Sequence, residues 1–106
     1  KAAKVIDVIN VACLYPHHFR AILEGRKRTE WRDRKRPDRR LESIKTGELI
    51  VFQEARSDRV ILATVCHVKR FRRASAYRYG IRLAEPMLDY APGIKHLQGW
   101  QRRDTL

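Results

Sequence analysis

The sequence predicts an α+β domain, a small mixed β-barrel of about five to six short strands with one short early helix beside a cleft. Three observations carry this. Apolar, β-branched runs recur along the chain ("VIDVINVACLY", "ELIVFQ", "RVILATVCHVKRF"), one segment alone ("PHHFRAILEG") has helical periodicity, and no regular strand–helix alternation follows it. At 106 residues the chain fits a single domain spanning 1–106, near the commonest domain size, and it shows no internal repeat or low-complexity linker.

Residues 5–15 alternate partially and are rich in β-branched types, which predicts a strand buried on at least one face. Pro16 suits a first helical turn, Phe19, Ile22 and Leu23 recur at helical spacing, and Gly25 stands where a left-handed cap belongs. A helix of two to three turns, ending at Gly25, is expected. "RTEWR" then forms a brief strand, and the charged stretch around Pro37 has too little apolar content for core. Gly47 marks a turn before "ELIVFQ", which pairs as an antiparallel hairpin with "RVILATVCHVKRF" across "ARSD". "YRYGIRLAEP" places Tyr79, Ile81 and Leu83 on one face and is expected to close at Pro86. The last segment, with Ile94, Leu97 and Trp100 as anchors, reads as a loop or a short helical turn docked on the barrel, with Trp100 plugging it or bordering its cleft.

The 24 Lys and Arg against 12 Asp and Glu give a formal charge of +12, so polyanions are the first partners to consider, nucleic acid foremost. No run approaches the ~20 apolar residues of a membrane span, and "KAAKVIDVINVACLYP" lacks the apolar core of a secretory signal. No membrane association, a cytoplasmic location and a monomer are expected. Cys13 and Cys66 sit in apolar runs, where cysteine usually behaves as a small buried hydrophobe in a reducing compartment. Neither has metal-ligand spacing, and no metal or cofactor is expected.

The densest chemistry lies in "GRKRTEWRDRKRPDRR", residues 25–40, where nine basic residues and three acids surround one tryptophan. Its first half places Gly25, Lys27, Glu30 and Arg32 in the pattern G-x-K-x-x-E-x-R, after a short helix and ahead of the "TGELIVF" strand. In this the chain resembles the ASCH domain family, whose fold is similar to the RNA-binding PUA domains. The resemblance runs from about Leu14 to about Phe71, through "HHFRAILEGRKRTEWR", "KTGELIVF" and "VILATVCHVKRF", and is looser beyond. It implies a PUA-like barrel with a ligand cleft beside the helix.

The residue types support a cleft on their own terms. In an extended "RTEWR", Glu30 and Arg32 share one face while Thr29, Trp31 and Asp33 take the other, and Lys27 reaches the first face from the helix cap. A carboxylate between two cations fixes their geometry and leaves donors for a phosphate or a base edge. The bland alternative is a surface ion-pair cluster worth ~0–1 kcal/mol per exposed pair.

Lys27, Arg28, Trp31 and Arg32 are the candidate nucleic-acid contacts of the cleft. Arg34, Lys35, Arg36, Arg39 and Arg40 form a basic arm that is either a phosphate-tracking surface or a solvated face. Lys69, Arg70, Arg72 and Arg73, with Phe71 among them, form a second basic cluster at the rim. Trp31 is either a barrel-edge packer or a base-stacking platform. His17 and His18 are expected in solvent on the first helical turn.

Two functions are expected from these residues. The first is a non-catalytic RNA-binding module. The second is a hydrolase acting on RNA or a modified nucleoside, with Lys27, Glu30 and Tyr15 as its catalytic residues. One branch of the ASCH family deacetylates N4-acetylcytidine with a Lys, a Thr three residues later and a distant Glu. Lys27 matches, but Glu30 occupies the Thr position and Glu85, beside Pro86, is a poor match for the distant acid. Ribonuclease activity, known in other relatives, would draw on Lys27, Glu30 and Tyr15. A small-molecule pocket or a coactivator-like interaction domain is a third, weaker reading.

Overall fold

The computed structural model describes the backbone over residues 8–89 and 101–104, and side chains over residues 9–84. In chain order the elements are β1 (Val8–Leu14), α1 (Pro16–Leu23), β2 (Thr29–Arg34), α2 (Arg39–Glu42), β3 (Leu49–Glu54), β4 (Val60–Arg73), β5 (Ala76–Asp89) and β6 (Gln101–Asp104). The strands form one mixed sheet in the order β2-β5-β4-β3-β1-β6, curled as a half-barrel. β1 runs parallel to both β3 and β6, and every other pairing is antiparallel. The mixed sheet, the early helix and the β3–β4 hairpin are as the sequence predicts. Closure is not: among the described residues no ladder joins the two edges, β2 and β6.

Alternation along the strands builds a core on each side of the sheet. Ala12, Leu14, Ile50, Phe52, Ile61 and Val65 turn one way and meet Phe19 and Ile22 of α1, while Ile9, Val51 and Val60 cluster on the opposite face. Each fully buried large side chain contributes about 1.5–3 kcal/mol. α1 ends in a Schellman motif: Gly25, at φ 79°, donates its N–H to the Ile22 carbonyl, and Arg26 donates to that of Ala21. Lys27 N–H also reaches Ala21 O, which folds the chain back over the helix end before β2 begins.

Four expectations are corrected. β5 does not close at Pro86. Its pairing with β4 shifts between Leu62 and Thr64, so four β5 steps from Ala84 to Leu88 face two on β4, and Pro86 sits in that irregularity, where no ladder donor is required. The charged stretch contains α2, capped by the Asp38 carboxylate on the N–H groups of Arg40 and Leu41, and it leads Leu41 and Ile44 into the main core. Gln101–Asp104 is a strand although it has no apolar residue to announce one. Cys13 and Cys66 are both exposed. Ile94, Leu97 and Trp100 lie outside the described residues.

Cys66 is exposed because it is the extra residue of a β-bulge: Val65 pairs with Leu83 and His67 with Arg82, two steps against one. The bulge reverses the alternation of β4. Val68 joins the core side, where Arg70 and Arg72 bind Glu42, and Lys69, Phe71 and Arg73 are exposed.

Candidate nucleic-acid interface

The cleft lies where the curled sheet brings its edge strand β2 up to the end of β1. Arg32 Nη2 donates to the Cys13 carbonyl at 3.3 Å across this gap. A cavity of about 470 Å³ opens beside it, lined by Cys13, Tyr15, His18, Glu30, Trp31 and Arg32 among others. Period-2 alternation on β2 turns Glu30 and Arg32 to one side and Trp31 to the other, and the helix cap delivers Lys27 to the first side. The Glu30 side chain is only 5% exposed; Oε1 lies 2.8 Å from Lys27 Nζ and Oε2 lies 2.7 Å from Arg32 Nε. Both contacts are ion pairs whose angles leave Glu30 Oε1 and Arg32 Nε without an aligned hydrogen bond.

The sequence brought these three residues to one spot but missed a fourth. His18 is half-buried, with Nδ1 3.3 Å from Lys27 Nζ. Burial, reinforced by the nearby Lys27 and His17 charges, pushes the imidazole below its ordinary value, with Glu30 opposing. His17 stays in solvent and rests against Tyr15, which is 70% exposed at the cavity mouth. Arg28 is half-buried just before β2, and its carbonyl accepts from Leu83 N–H.

The basic arm divides. Arg34 pairs with Asp38 at 3.0 Å and Arg40 with the same carboxylate at 3.5 Å, so these two fix the start of α2. Lys35, Arg36 and Arg39 are exposed and make no ion pair among the described residues. The rim divides similarly. Arg70 donates from Nη2 to the carbonyls of Glu42 and Ile44, and Arg72 binds the Glu42 carboxylate. Lys69 and Arg73 remain exposed on the other face.

Tyr79 ties the arm to the core. Its buried hydroxyl donates to Glu42 Oε2 at 2.6 Å and accepts from Asp38 N–H at 3.2 Å. Hydrogen bonds from Arg72 and then Tyr79 hold the Glu42 carboxyl below its usual range against burial. For Asp38, burial pushes upward, but hydrogen bonds from Arg34, Leu41 N–H and Arg40 N–H outweigh it and the net shift is downward. Burial, with the Glu42 bond, raises the Tyr79 phenol. Both carboxyls bind protons more weakly folded than unfolded. Their stabilisation is complete above the ordinary carboxylate range, about pH 4, and is lost as pH falls through the depressed native values. Tyr79→Phe removes a charge-assisted bond and is expected to cost about 1.5–3 kcal/mol at neutral pH. It should also move the acid-unfolding midpoint upward, because Glu42 regains proton affinity. An acid titration followed by circular dichroism in which the midpoint stays put would show that this linkage is wrong.

On the opposite side of β2, Trp31 is 36% exposed and Phe71 52% exposed, with ring centroids 6.1 Å apart. The Arg78 guanidinium lies 4.5 Å from the Trp31 ring centre. A second cavity, of about 680 Å³, opens on these residues. Trp31 lines both cavities.

Together these features describe a small α+β domain with a charged cleft at the seam of its curled sheet and an aromatic surface around the edge strand. Neither protein-family models nor curated proteins match the chain. Among the described residues no helix is long and apolar enough to cross a membrane, and no three His, Cys, Asp or Glu side chains converge as a metal-ligand set.

Proposed function

We propose that the chain is a PUA-like domain of ASCH type that binds RNA, with a nucleotide received in the cleft at Lys27, Glu30 and Arg32. The observation that carries this reading is the near-complete burial of Glu30 between two cations at a cavity wall. A buried carboxylate holding Lys27 and Arg32 in fixed positions presents cationic donors to a phosphate or base edge already oriented, which lowers the ordering cost of binding. The charge of +12 supplies the long-range attraction, and Lys35, Arg36 and Arg39 extend it along the arm.

The test is fluorescence anisotropy of a labelled single-stranded RNA over a range of salt, with RNA integrity followed on a gel. Wild-type affinity should fall steeply with salt. Lys27→Ala should weaken binding by about tenfold and flatten the slope of log K on log salt by about 0.7, one phosphate contact on a single strand. Unchanged affinity and slope in a Lys27→Ala protein with a normal melting curve would remove the cleft from the binding surface.

His18 favours a second reading, hydrolysis of RNA in the same cleft. A neutral imidazole beside Lys27 can take the proton of a 2′-hydroxyl as its oxygen bonds to phosphorus, while the Lys27 ammonium gives a proton to the departing 5′-oxygen; the 2′,3′-cyclic phosphate so formed is then opened by water. RNA shortened by wild type and left intact by both His18→Ala and Lys27→Ala would select this reading over the module.

A further inference from the structure

We infer that the open face of the β2-β5-β4 ribbon is a second, separate site that stacks unpaired bases of single-stranded nucleic acid on a shelf formed by Trp31 and Phe71. The register builds the shelf. Trp31 pairs with Gly80, which pairs with Lys69, and in the next row Asp33 pairs with Arg78, which pairs with Phe71. Gly80 has no side chain, so the indole lies flat across it: a Cβ there would stand 2.5 Å from Trp31 Cζ3. Lying flat, the indole reaches diagonally to Phe71 at 6.1 Å, and the two rings are inclined by only 30°.

Two exposed aromatic rings on one sheet face are uncommon unless something covers them. The surroundings indicate what. Arg78 lies over Trp31, Arg73 lines the same cavity, and Lys69 and Arg82 are exposed in adjacent positions of the same face. Among the described residues Asp33 is the acid of this face, and it stands 3.5 Å from Arg78. The Phe71 ring and the Arg78 guanidinium plane laid over the indole fit a polyanion that carries its own exposed π faces, since bases stack on guanidinium planes as well as on aromatic rings. A single strand has both; a duplex hides its bases in the stack. Because Trp31 also lines the cleft cavity, a strand stacked on the shelf can pass over the β2 edge and place its next nucleotide beside Glu30 and Arg32.

The experiment measures binding of an unstructured RNA decamer and of the corresponding duplex by wild type, Phe71→Ala, Phe71→Tyr and Lys27→Ala. Phe71 is a surface residue, so its replacement should leave the melting curve intact. Phe71→Ala should weaken decamer binding by about tenfold with an unchanged salt slope, the signature of lost stacking rather than lost charge, and Phe71→Tyr should restore it. Duplex binding should be indifferent to Phe71. Equal loss on duplex and decamer, or no loss with Phe71→Ala while Lys27→Ala weakens binding, would overturn the shelf and leave the cleft standing. Dependence on Phe71 without dependence on Lys27 would support the shelf and overturn the cleft. No wild-type binding to either probe would overturn both.

Discussion

Glu30→Ala is expected to cost about 3–5 kcal/mol of folding stability, several times the value of an exposed ion pair. The variant deletes one carboxylate but leaves two partly buried cations, Lys27 and Arg32, facing each other with no counter-charge. Their side chains are 23% and 19% exposed, so neither can regain full hydration without moving. Arg32 is also held through its bond to the Cys13 carbonyl, which ties its position to the seam of the sheet. Glu30→Gln keeps the shape and some hydrogen bonding, and its cost should fall between wild type and alanine. Urea unfolding of the three proteins decides the matter. A loss below about 1 kcal/mol for Glu30→Ala would place the cluster among ordinary surface pairs and would weaken the case that it is a preorganised site.

Gly80→Val should dismantle the aromatic shelf from behind. Its Cβ would meet the Trp31 ring at 2.5 Å, so the indole must leave its position, and a β-branched side chain closes the space to its return. The expected destabilisation is about 1–3 kcal/mol, the usual cost of overpacking. Decamer binding should fall at least as far as with Phe71→Ala, since both rings are then lost as a platform. A double-mutant cycle with Trp31→Ala isolates the clash: once the ring is gone, Gly80→Val should cost little more. If Gly80→Val is neutral for stability and binding in the presence of Trp31, the indole moves freely and no fixed shelf exists.

Much of the cleft was legible because it depends on local rules. A Gly-terminated helix, a strand of period two and the spacing from Lys27 to Arg32 suffice to bring Lys27, Glu30 and Arg32 together. His18 was missed because its neighbours, Lys27 at 3.3 Å and Glu30 across the same cavity, arrive from beyond the helix, which no first-turn pattern reveals. The basic arm and rim were legible only in part, for the converse reason. A charge run gives the number of cations but not their partners, and Asp38 and Glu42 engage Arg34, Arg40, Arg70 and Arg72 only in three dimensions. α2 carried a readable sign, Asp38 after Pro37 as an N-cap, but the surrounding arginines masked Leu41 and Ile44 as core. β6 had no such sign, since four polar residues join the sheet through backbone pairing with β1.

The bulge at Cys66 makes the outer half of β4 a matter of parity. Removing that one residue would exchange inside for outside along the strand from His67 to Arg73. Phe71 would turn toward the side of Leu41 and Ile44, while Arg70 and Arg72 would abandon Glu42 for open solvent. The aromatic face and the anchorage of α2 are thus set by the same single step in chain length. A change of residue type at 66 leaves both in phase, whereas a change of length by one inverts both at once.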